Sequence, residues 1–494
     1  MQYQIDGRIN FIFRIWYMKK DLFVREYTKA IQNGTAAIFA GAGFSKSAGF
    51  VDWATLLKDV AEEIDLDSSK ETGNLPALAQ YYENEKGNRN RLSELIRNEF
   101  CDIKEPDENH LLLSHLPIHT YWTTNYDHLI EDCLRREKKK VDVKVTEDNM
   151  SISMYGADAV VYKMHGDVDQ ADKTILTQRE YETYGEKHPL MLNALCRDFQ
   201  SNTFLFLGFS FTDSNLNHIV SQLKTIAERN DGGVKTHYCI MRKPQKGIDE
   251  SDADFCYRLK KDELNHKNLL KYGIEIIQVD EFNEITEILR CLNKAYYQKT
   301  VYISGAVADY GNWTKDTAEQ FVFKLGGSLV KEGYRIVTGY GLGIGNSVIG
   351  GVLNEVYMNK CKQLDDELIA RPFPQGNDDI RAKWPAYRKD MISYTGISIF
   401  LFGNKRNKDG DIVLSDGMQQ EYDISEAQGN ILIPVAATGG MSQSLWEQLM
   451  SKYGGEEPYK SLSNEYLAIK DDNAYKDPDK LLEYILYVVR KTTL

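Results

Sequence analysis

Short apolar runs of strand length recur along the chain, and helical patterns lie between most of them. In the first part of the chain these runs fall at residues 36–40, 118–124, 159–164, 203–208, 236–241 and 274–279. Uninterrupted apolar runs are typical of strands buried on both faces, as in parallel sheets. Their alternation with helices predicts an α/β fold, in which helices cover both faces of a parallel sheet.

A chain of 494 residues is too long for one hydrophobic core. The pattern breaks at residues 294–300 and restarts with further apolar runs at 301–305, 334–339, 397–403 and 430–435. We therefore predict two α/β domains, residues 1–295 and residues 296–494.

The composition argues against several classes of function. The chain has 60 Lys and Arg residues against 73 Asp and Glu residues, a balance that disfavours a nucleic-acid-binding surface. No apolar run approaches the roughly 18 residues that a membrane span needs. None of the seven cysteines forms a C-x-x-C pair. Scattered cysteines indicate reduced thiols in a cytoplasmic protein, with neither a zinc site nor a disulfide framework.

The N-terminus leaves two interpretations open. The apolar stretch at residues 11–17 is short, and no small-residue cleavage site follows it, so a signal peptide is not expected. In one interpretation, translation begins at Met18. In the other, residues 1–17 form an added strand or a short assembly arm.

The first candidate site begins at a glycine loop between a predicted strand and a predicted helix, Gly41-Ala42-Gly43-Phe44-Ser45. Such a turn lets backbone N–H groups approach a pyrophosphate, and the helix N-terminus adds a partial positive charge. A plain tight turn explains the same sequence, so the loop indicates a dinucleotide site only if other strand ends supply partners.

Three further predicted strand ends carry polar groups: Thr124-Asn125-Tyr126-Asp127, Lys163-Met164-His165-Gly166-Asp167 and Leu207-Gly208-Phe209-Ser210. Ligands of open α/β sheets bind at the carboxyl ends of strands, so these groups are expected to line one crevice. A neutral imidazole such as His165 accepts a proton near pH 7. The amide of Asn125 can hold a water or a ribose hydroxyl.

In this order the four motifs resemble the sirtuin family of NAD-consuming enzymes, over residues 30–290. The resemblance implies a Rossmann-like domain with a parallel sheet and a helical insertion. It also implies that Asn125 and His165 are catalytic, with His165 as the base near the ribose hydroxyls. The implied NAD contacts are Ala42, Gly43 and Ser45 at the pyrophosphate, Asp127 with Asn125 at the nicotinamide ribose, and Gly208 and Ser210 at the adenosine half.

Structural interpretations stay open for three of these side chains. His165 also fits a turn histidine. Asn125 fits a cap of the helix that starts near Asp127, and Asp127 fits a helix cap or a partner of the helix dipole.

Protein deacetylases of the sirtuin family differ from this chain in two ways. They carry two C-x-x-C pairs that hold a structural zinc, and an Asp-Phe-Arg sequence where this chain has Asp52-Trp53-Ala54. Without the zinc module, water is a simpler acceptor than acyl-lysine. We expect hydrolysis of NAD to nicotinamide and ADP-ribose, with no zinc and no cofactor beyond the substrate. The alternatives are a non-catalytic nucleotide-sensing module and an NAD-dependent protein deacylase.

The second half of the chain has its own polar and glycine-rich strand ends. The candidate residues there are Ser304, Gly305, Gly339, Gly341, Gly343, Arg388, Lys405, Glu421 and Gly439. Backbone amides in glycine turns cradle phosphate, an arginine pairs with pyrophosphate, and a carboxylate accepts from a ribose diol. Flexible loops and solvated surface charges are the plainer alternatives.

This half is similar to the SLOG family of Rossmann-like, nucleotide-binding domains. Enzymes among its relatives carry a P-G-G-x-G-T-x-x-E loop, of which this chain keeps Glu421 but not the glycine run. We therefore expect this domain to bind a ligand rather than to catalyse a reaction.

A sirtuin-like domain followed by a SLOG domain resembles the effector family of the bacterial Thoeris antiphage system. The resemblance implies a homotetramer or larger assembly that depletes NAD. It implies activation by a cyclic ADP-ribose isomer that a partner TIR protein makes and the SLOG domain binds. Arg388 and Lys405 are the implied basic contacts to this signal, and Glu421 and Arg371 are further candidates.

Overall fold

The structure, a computed structural model, describes residues 18–51, 53–68, 70–71, 74–102, 104–209, 235–358, 363–374, 378–471 and 473–493. Residues 1–17, for which two interpretations are open, lie outside this set. The chain divides into two compact units, the first ending at Asn293 and the second beginning at Lys294. No described helix is both long enough and apolar enough to cross a membrane.

The described part of the first unit is built on a seven-stranded parallel sheet. Its strands are β1 (Ala36–Ala40), β2 (Thr120–Thr123), β3 (Val141–Lys144), β4 (Ala159–Lys163), β5 (Thr203–Leu207), β6 (His237–Arg242) and β7 (Ile274–Val279). They lie in the order β3-β4-β2-β1-β5-β6-β7, and all neighbours run parallel. The predicted α/β fold is confirmed. Of these seven strands, only β3, a short strand at the sheet edge, was not predicted from the sequence.

Sequence order changes direction at β1. Strands β2, β4 and β3 lie on one side of it, and β5, β6 and β7 lie on the other. A crevice opens outside the carboxyl ends of parallel strands where the order reverses, because the connections on the two sides leave toward opposite faces. The residues after β1 therefore lie where a ligand of this fold class would bind.

The helices around this sheet are α1 (Lys20–Gln32), α2 (Ala42–Lys46), α3 (Trp53–Leu56), α4 (Lys58–Glu62), α5 (Leu75–Lys86), α6 (Asn90–Phe100), α7 (Glu108–His115), α8 (Leu129–Arg136), α9 (Glu147–Met150), α10 (Gln178–Glu182), α11 (Tyr184–Lys187), α12 (Pro189–Ser201), α13 (Asp252–Lys271) and α14 (Asn283–Tyr297). A 3-10 helix covers Val168–Lys173. Helices α2 to α7 lie between β1 and β2 in sequence. Several of them pack around a core of their own that includes Leu57, Leu78 and Leu92.

The second unit has a five-stranded parallel sheet and a small hairpin. Its strands are β8 (Thr300–Ala306), β9 (Arg335–Thr338), β10 (Leu368–Ala370), β11 (Ile397–Phe402), β12 (Asn404–Arg406), β13 (Ile412–Leu414) and β14 (Ile431–Val435). The sheet order is β10-β9-β8-β11-β14, and β12 pairs antiparallel with β13. The sequence predicted β8, β9, β11 and β14, the long apolar runs. It missed the three short strands.

Helices of the second unit are α15 (Lys315–Lys331), α16 (Gly345–Met358), α17 (Leu364–Glu367), α18 (Asp378–Arg381), α19 (Trp384–Ile392), α20 (Asp416–Ala427), α21 (Met441–Tyr453), α22 (Ser463–Ala468) and α23 (Pro478–Thr492). The main core lies between the sheet and these helices, and Leu325, Ile399 and Leu445 are fully buried in it.

Candidate active site

Four neighbouring strand ends bring the sequence motifs of the first unit to one edge of the sheet. Ala40, the last residue of β1, pairs with Thr123 of β2 and with Leu207 of β5. Thr123 also pairs with Lys163, the last residue of β4. The residues that follow these strand ends include Gly41, Asn125, His165 and Gly208.

The glycine loop packs directly against the turn after β5. The N–H of Gly43 donates to Gly208 O at 3.0 Å, and the N–H of Gly41 donates to Leu207 O at 2.8 Å. Gly208 has a φ of +75°, and a Cβ on it would lie 2.2 Å from the Phe44 nitrogen. Close approach of two backbones therefore requires glycine here. The tight-turn interpretation thus explains part of the motif, because the Gly43 amide already has a protein acceptor.

Asn125 joins the glycine loop to the end of β2. Its Nδ2 donates to Gly41 O at 3.1 Å and to Ser45 Oγ at 2.8 Å. The residue is 7% exposed, and its Oδ1 is buried without a hydrogen-bond partner among the described residues. The helix-cap interpretation of Asn125 is wrong, since its side chain bonds to the glycine loop. A buried carbonyl oxygen without a donor is costly, so Oδ1 suits a hydroxyl of water or of a ligand.

Asp127 bonds to the start of the following helix, whose N-cap residue is His128. Its Oδ1 accepts from the N–H of Leu129, the first residue of α8, at 3.0 Å. Its other carboxylate oxygen, Oδ2, is buried without a partner in the described part of the chain. One oxygen therefore has a structural role, and the other remains available as an acceptor.

His165 lies in a buried aromatic pocket. Tyr181 Oη and His165 Nδ1 are 3.3 Å apart, and the ring of Tyr181 meets the imidazole edge-to-face. Tyr184 contacts the imidazole from a second side and donates its hydroxyl to Met164 O at 2.8 Å. The ring is therefore held in one orientation by neighbours that the sequence reading did not select. The two tyrosines lie on different short helices, Tyr181 on α10 and Tyr184 on α11, so no helix periodicity in the sequence indicated that both reach His165.

Two predicted positions cannot be assigned a structure. Ser210 and Asp52 lie outside the described residues. Ala42 begins α2, and Ser45 is buried within the same short helix.

The second unit holds a cavity of about 130 Å³ at the carboxyl ends of its strands. The predicted residues that line it are Ser304, Gly305, Gly339, Gly341, Arg388 and Glu421. A Cβ on Gly341 would lie 1.7 Å from Gly305 O, so close backbone approach requires glycine at this position. At about 30 Å³ per water, the cavity has room for a group of ribose or phosphate size.

A buried ion pair forms one wall of this cavity. Arg388 Nε lies 3.2 Å from Glu421 Oε1, and the hydroxyl of Ser304 donates to Glu421 Oε2 at 2.5 Å. The guanidinium stacks 4.9 Å from the ring centre of Phe373 and 5.7 Å from that of Trp384. Arg388 and Glu421 are each 7% exposed, so the surface-charge interpretation of these two residues is wrong.

Four other candidates do not line the cavity. Lys405 lies on β12, with its ammonium paired to Asp416. Arg371 pairs with Asp390 at 2.6 Å. Gly343 and Gly439 lie in nearby turns with positive φ angles of 85° and 74°. The cavity is thus lined by only some of the residues predicted to bind the signal nucleotide.

Comparison with known proteins agrees with this two-part organisation. A family model described as a SIR2-like domain matches residues 119–277, and one described as the Sir2- and TIR-associating SLOG family matches residues 284–492. A protein of Bacillus subtilis named "Defense-associated sirtuin 2" is 27% identical over 216 residues, which cover 41% of this chain and 20% of that protein.

Several relatives match nearly the full length, and two of them illustrate the similarity. The "NAD(+) hydrolase ThsA" of Bacillus cereus (strain MSX-D12) is 45% identical over 461 residues, which cover 91% of this chain and 96% of that protein. The "NAD(+) hydrolase ThsA" of Acinetobacter baumannii (strain 532279) is 40% identical over 480 residues, or 96% and 99% of the two chains. The chain therefore belongs to the ThsA NAD(+) hydrolase family, and carries a SIR2-like domain followed by a SLOG domain.

Proposed function

We propose that this chain hydrolyses NAD to nicotinamide and ADP-ribose in the crevice beyond β1. The observation that carries the proposal is the side chain of Asn125. Its Nδ2 is fixed to the glycine loop, whereas its buried Oδ1 lacks a partner among the described residues. The printed names of the full-length relatives, NAD(+) hydrolase ThsA, agree with this reaction.

In the proposed reaction, the bond between the ribose C1′ and the nicotinamide nitrogen breaks, and the bonding electrons leave with nicotinamide. Water then adds to the oxocarbenium-like carbon and loses a proton. Asn125 Oδ1 accepts from this water or from a ribose hydroxyl. His165 accepts a proton as a neutral imidazole. The proposed NAD contacts are Ala42, Gly43, Ser45, Asp127, Gly208 and Ser210.

Water is favoured over acyl-lysine as the acceptor. Among the described residues, the only cluster of possible metal ligands is His128, Glu131 and Asp167, which contains no cysteine. A tetrahedral zinc module of the deacetylase kind needs four cysteine or histidine ligands close together. The sequence contains no C-x-x-C pair, and on that ground we propose water as the acceptor.

We further propose that the SLOG domain senses a nucleotide and switches the enzyme on. The buried guanidinium of Arg388 and the carboxylate of Glu421 suit a phosphate and a ribose diol of a cyclic ADP-ribose isomer. A TIR protein would supply this signal, in line with the description of the matched family as Sir2- and TIR-associating. The active form is proposed to be a homotetramer or larger, acting in the bacterial cytoplasm in antiphage defence, with domains at residues 1–295 and 296–494.

The decisive experiment is a direct assay of nicotinamide release. Purified chain is incubated with NAD, alone and with each cyclic ADP-ribose isomer, and the products are separated by chromatography. We expect nicotinamide and ADP-ribose in equal amounts, with a rate that rises when the right isomer is present. An absence of nicotinamide under every condition would favour the non-catalytic sensing module. Release that requires an acetyl-lysine peptide would favour a deacylase.

A further inference from the structure

Lys163 is a fully buried cation directly beside the candidate active site. It is the last residue of β4, and its side chain is 0% exposed. Burying an ammonium is costly unless charged and polar groups surround it. Such a residue is retained only where its partners compensate for the burial.

Four oxygen atoms surround the ammonium. Its Nζ donates to Tyr126 O at 3.0 Å and to Asp127 O at 2.6 Å. It also lies 3.0 Å from Glu131 Oε1 and 2.6 Å from Asp167 Oδ2. Three of these partners follow β2, and the fourth follows β4. One cation thus ties two strand ends together.

Two of the partners, Tyr126 and Asp167, lie within two residues of the proposed catalytic residues in sequence. Tyr126 follows Asn125, and Asp167 is separated from His165 only by Gly166, which has a φ of +93°. The N–H of Val168 also donates to Tyr126 O, at 3.1 Å. The ammonium therefore bonds to the peptide carbonyl of the residue after Asn125 and to the side-chain carboxylate two residues after His165.

The electrostatics keep the cluster charged at neutral pH. Burial alone would lower the pKa of Lys163, but Glu131, Asp167 and Asp127 outweigh burial and raise that pKa above its usual value. Burial alone would raise the pKa of Asp167, but hydrogen bonding from His128 and the charge of Lys163 hold that pKa well below its usual range. Lysine is thus a cation and aspartate an anion throughout the physiological range.

Two of the carboxylates around Lys163, together with His128, also form a possible set of metal ligands. His128, Glu131 and Asp167 offer ligand atoms within 4.8 Å of one another. The ammonium of Lys163, however, already lies in contact with both carboxylates. A divalent ion would have to displace or lie beside a buried positive charge, so the lysine takes the place of a cation here.

We propose that Lys163 is a positioning residue for the reaction, whose ammonium holds the Asn125 segment and the His165 turn in register. The kinetic part of this inference rests on the proposed NAD hydrolysis. Misplacing a catalytic group by about 1 Å lowers turnover on the order of 100-fold. The four oxygens around the ammonium belong to residues 126, 127, 131 and 167, none of which lies in the glycine loop proposed to bind the pyrophosphate. Loss of the ammonium is therefore expected to lower kcat far more than it changes KM for NAD.

The test compares two identical substitutions at buried lysines. Lys163→Met removes the ammonium that we propose holds the segments after β2 and β4 together. Lys144→Met is the matched control, because Lys144 is also buried and lies 2.9 Å from Asp142 Oδ2, but on the edge strand β3. We expect Lys163→Met to lower kcat by about 100-fold with KM within about threefold, and Lys144→Met to lower only the melting temperature. Equal kcat in the two variants would overturn the proposal.

A second variant and a second measurement keep the test decisive if Lys163→Met does not fold or if the wild type does not hydrolyse NAD. The double variant Lys163→Met/Glu131→Gln removes one charge of each sign, so the net charge of the buried cluster stays as in the wild type. Hydrogen exchange measured by mass spectrometry should rise in peptides covering residues 124–128 and 165–168, and stay unchanged in β1 and β5. Unchanged exchange at 124–128 refutes positioning even if the wild type proves inactive on NAD. Failure of both Lys163 variants to fold, while Lys144→Met folds, would assign Lys163 to folding alone and also refute it.

Discussion

The side-chain nitrogen of Asn125 lies 2.8 Å from Ser45 Oγ and donates a hydrogen bond to it. Since the same nitrogen also donates to Gly41 O, the amide cannot rotate without breaking two bonds to the glycine loop. The loop proposed to hold the pyrophosphate and the amide proposed to act at the nicotinamide ribose are therefore one connected unit.

Asn125→Asp should lower nicotinamide release by two orders of magnitude or more. The substitution keeps the shape of the side chain but replaces the Nδ2 donor by an oxygen that faces Gly41 O, and it changes the charge where charge develops in the reaction. Release is measured under saturating NAD. The control is Asn293→Ala, because Asn293 Nδ2 likewise donates to two acceptors, here both carbonyls, and its Oδ1 is buried without a partner in the described structure. Wild-type turnover in Asn125→Asp would contradict the assignment.

Ser45→Ala should lower kcat about 3- to 10-fold and cost about 1 kcal/mol of stability, because it leaves one amide hydrogen of Asn125 without its acceptor. Ser47→Ala is the control, as the Ser47 hydroxyl donates to Phe44 O and does not contact Asn125. Steady-state kinetics and thermal melts of both variants provide the comparison. An equal effect of the two substitutions on kcat would show that the Ser45 bond does not orient the amide.

Tyr181→Phe should lower kcat several-fold with little change in KM. The variant keeps the ring contact with His165 and loses only the hydroxyl 3.3 Å from Nδ1. Since the bond at one ring nitrogen sets the tautomer and orientation of the other, the pH profile of kcat should shift as well. Tyr82→Phe, which removes a buried hydroxyl bonded to Glu63, serves as the control. Superimposable pH profiles of wild type and Tyr181→Phe would exclude the proposed role of the hydroxyl.

The sequence predicted most accurately the strands in the middle of the sheet, where both faces are buried. Strands β1 and β5 lie in the middle of the sheet and are nearly continuous apolar runs, so they were predicted closely. Strand β3 reads Val-Asp-Val-Lys at the sheet edge, where alternating polar residues and a length of four residues give no such signal. Strand ends then led to Asn125 and His165, because a parallel sheet brings its carboxyl ends together.

Side-chain partners from distant segments could not be predicted in this way. Tyr181 reaches His165 from a helix that follows the strand, and only tertiary packing brings the two rings together. Lys163 stood in a recognised motif, but nothing in the motif indicates that the ammonium is buried among four oxygens. Likewise, the sequence offered Lys405 and Arg388 as equal candidates. Burial and the cavity wall distinguish them, since Lys405 lies on an exposed hairpin.

The His128–Asp167 pair should stabilise the protein only within a window of pH. Hydrogen bonding to Asp167 raises the pKa of His128, so its contribution is full below the unfolded histidine value of about 6.5 and is lost as pH rises through the higher folded value. The pKa of Asp167 is lowered, so its contribution is full above about 4 and falls only in strong acid. Between these limits, His128→Gln should cost up to about 1 kcal/mol, since solvent screens a half-exposed ring.

The measurement is the difference in melting temperature between wild type and His128→Gln at pH 5.5, 7 and 9. The difference should be largest at pH 5.5 and smaller at pH 9. His119→Gln is the control, because the exposed His119 ring bonds to a backbone carbonyl and not to a carboxylate. A melting-temperature difference between wild type and His128→Gln that grows toward pH 9 would contradict the predicted pH dependence.

Arg388→Ala should abolish activation by the cyclic ADP-ribose isomer and leave basal release of nicotinamide unchanged. The guanidinium is the buried cation on the cavity wall, and an anionic ligand must pair with it in competition with Glu421. A lost charged hydrogen bond at a buried cavity wall weakens binding by about 10- to 100-fold. Isothermal titration gives this Kd directly, and Arg490→Ala, which breaks an exposed pair with Glu332, is the control. A folded Arg388→Ala variant that binds the isomer as tightly as Arg490→Ala would show that the signal site lies elsewhere in the chain.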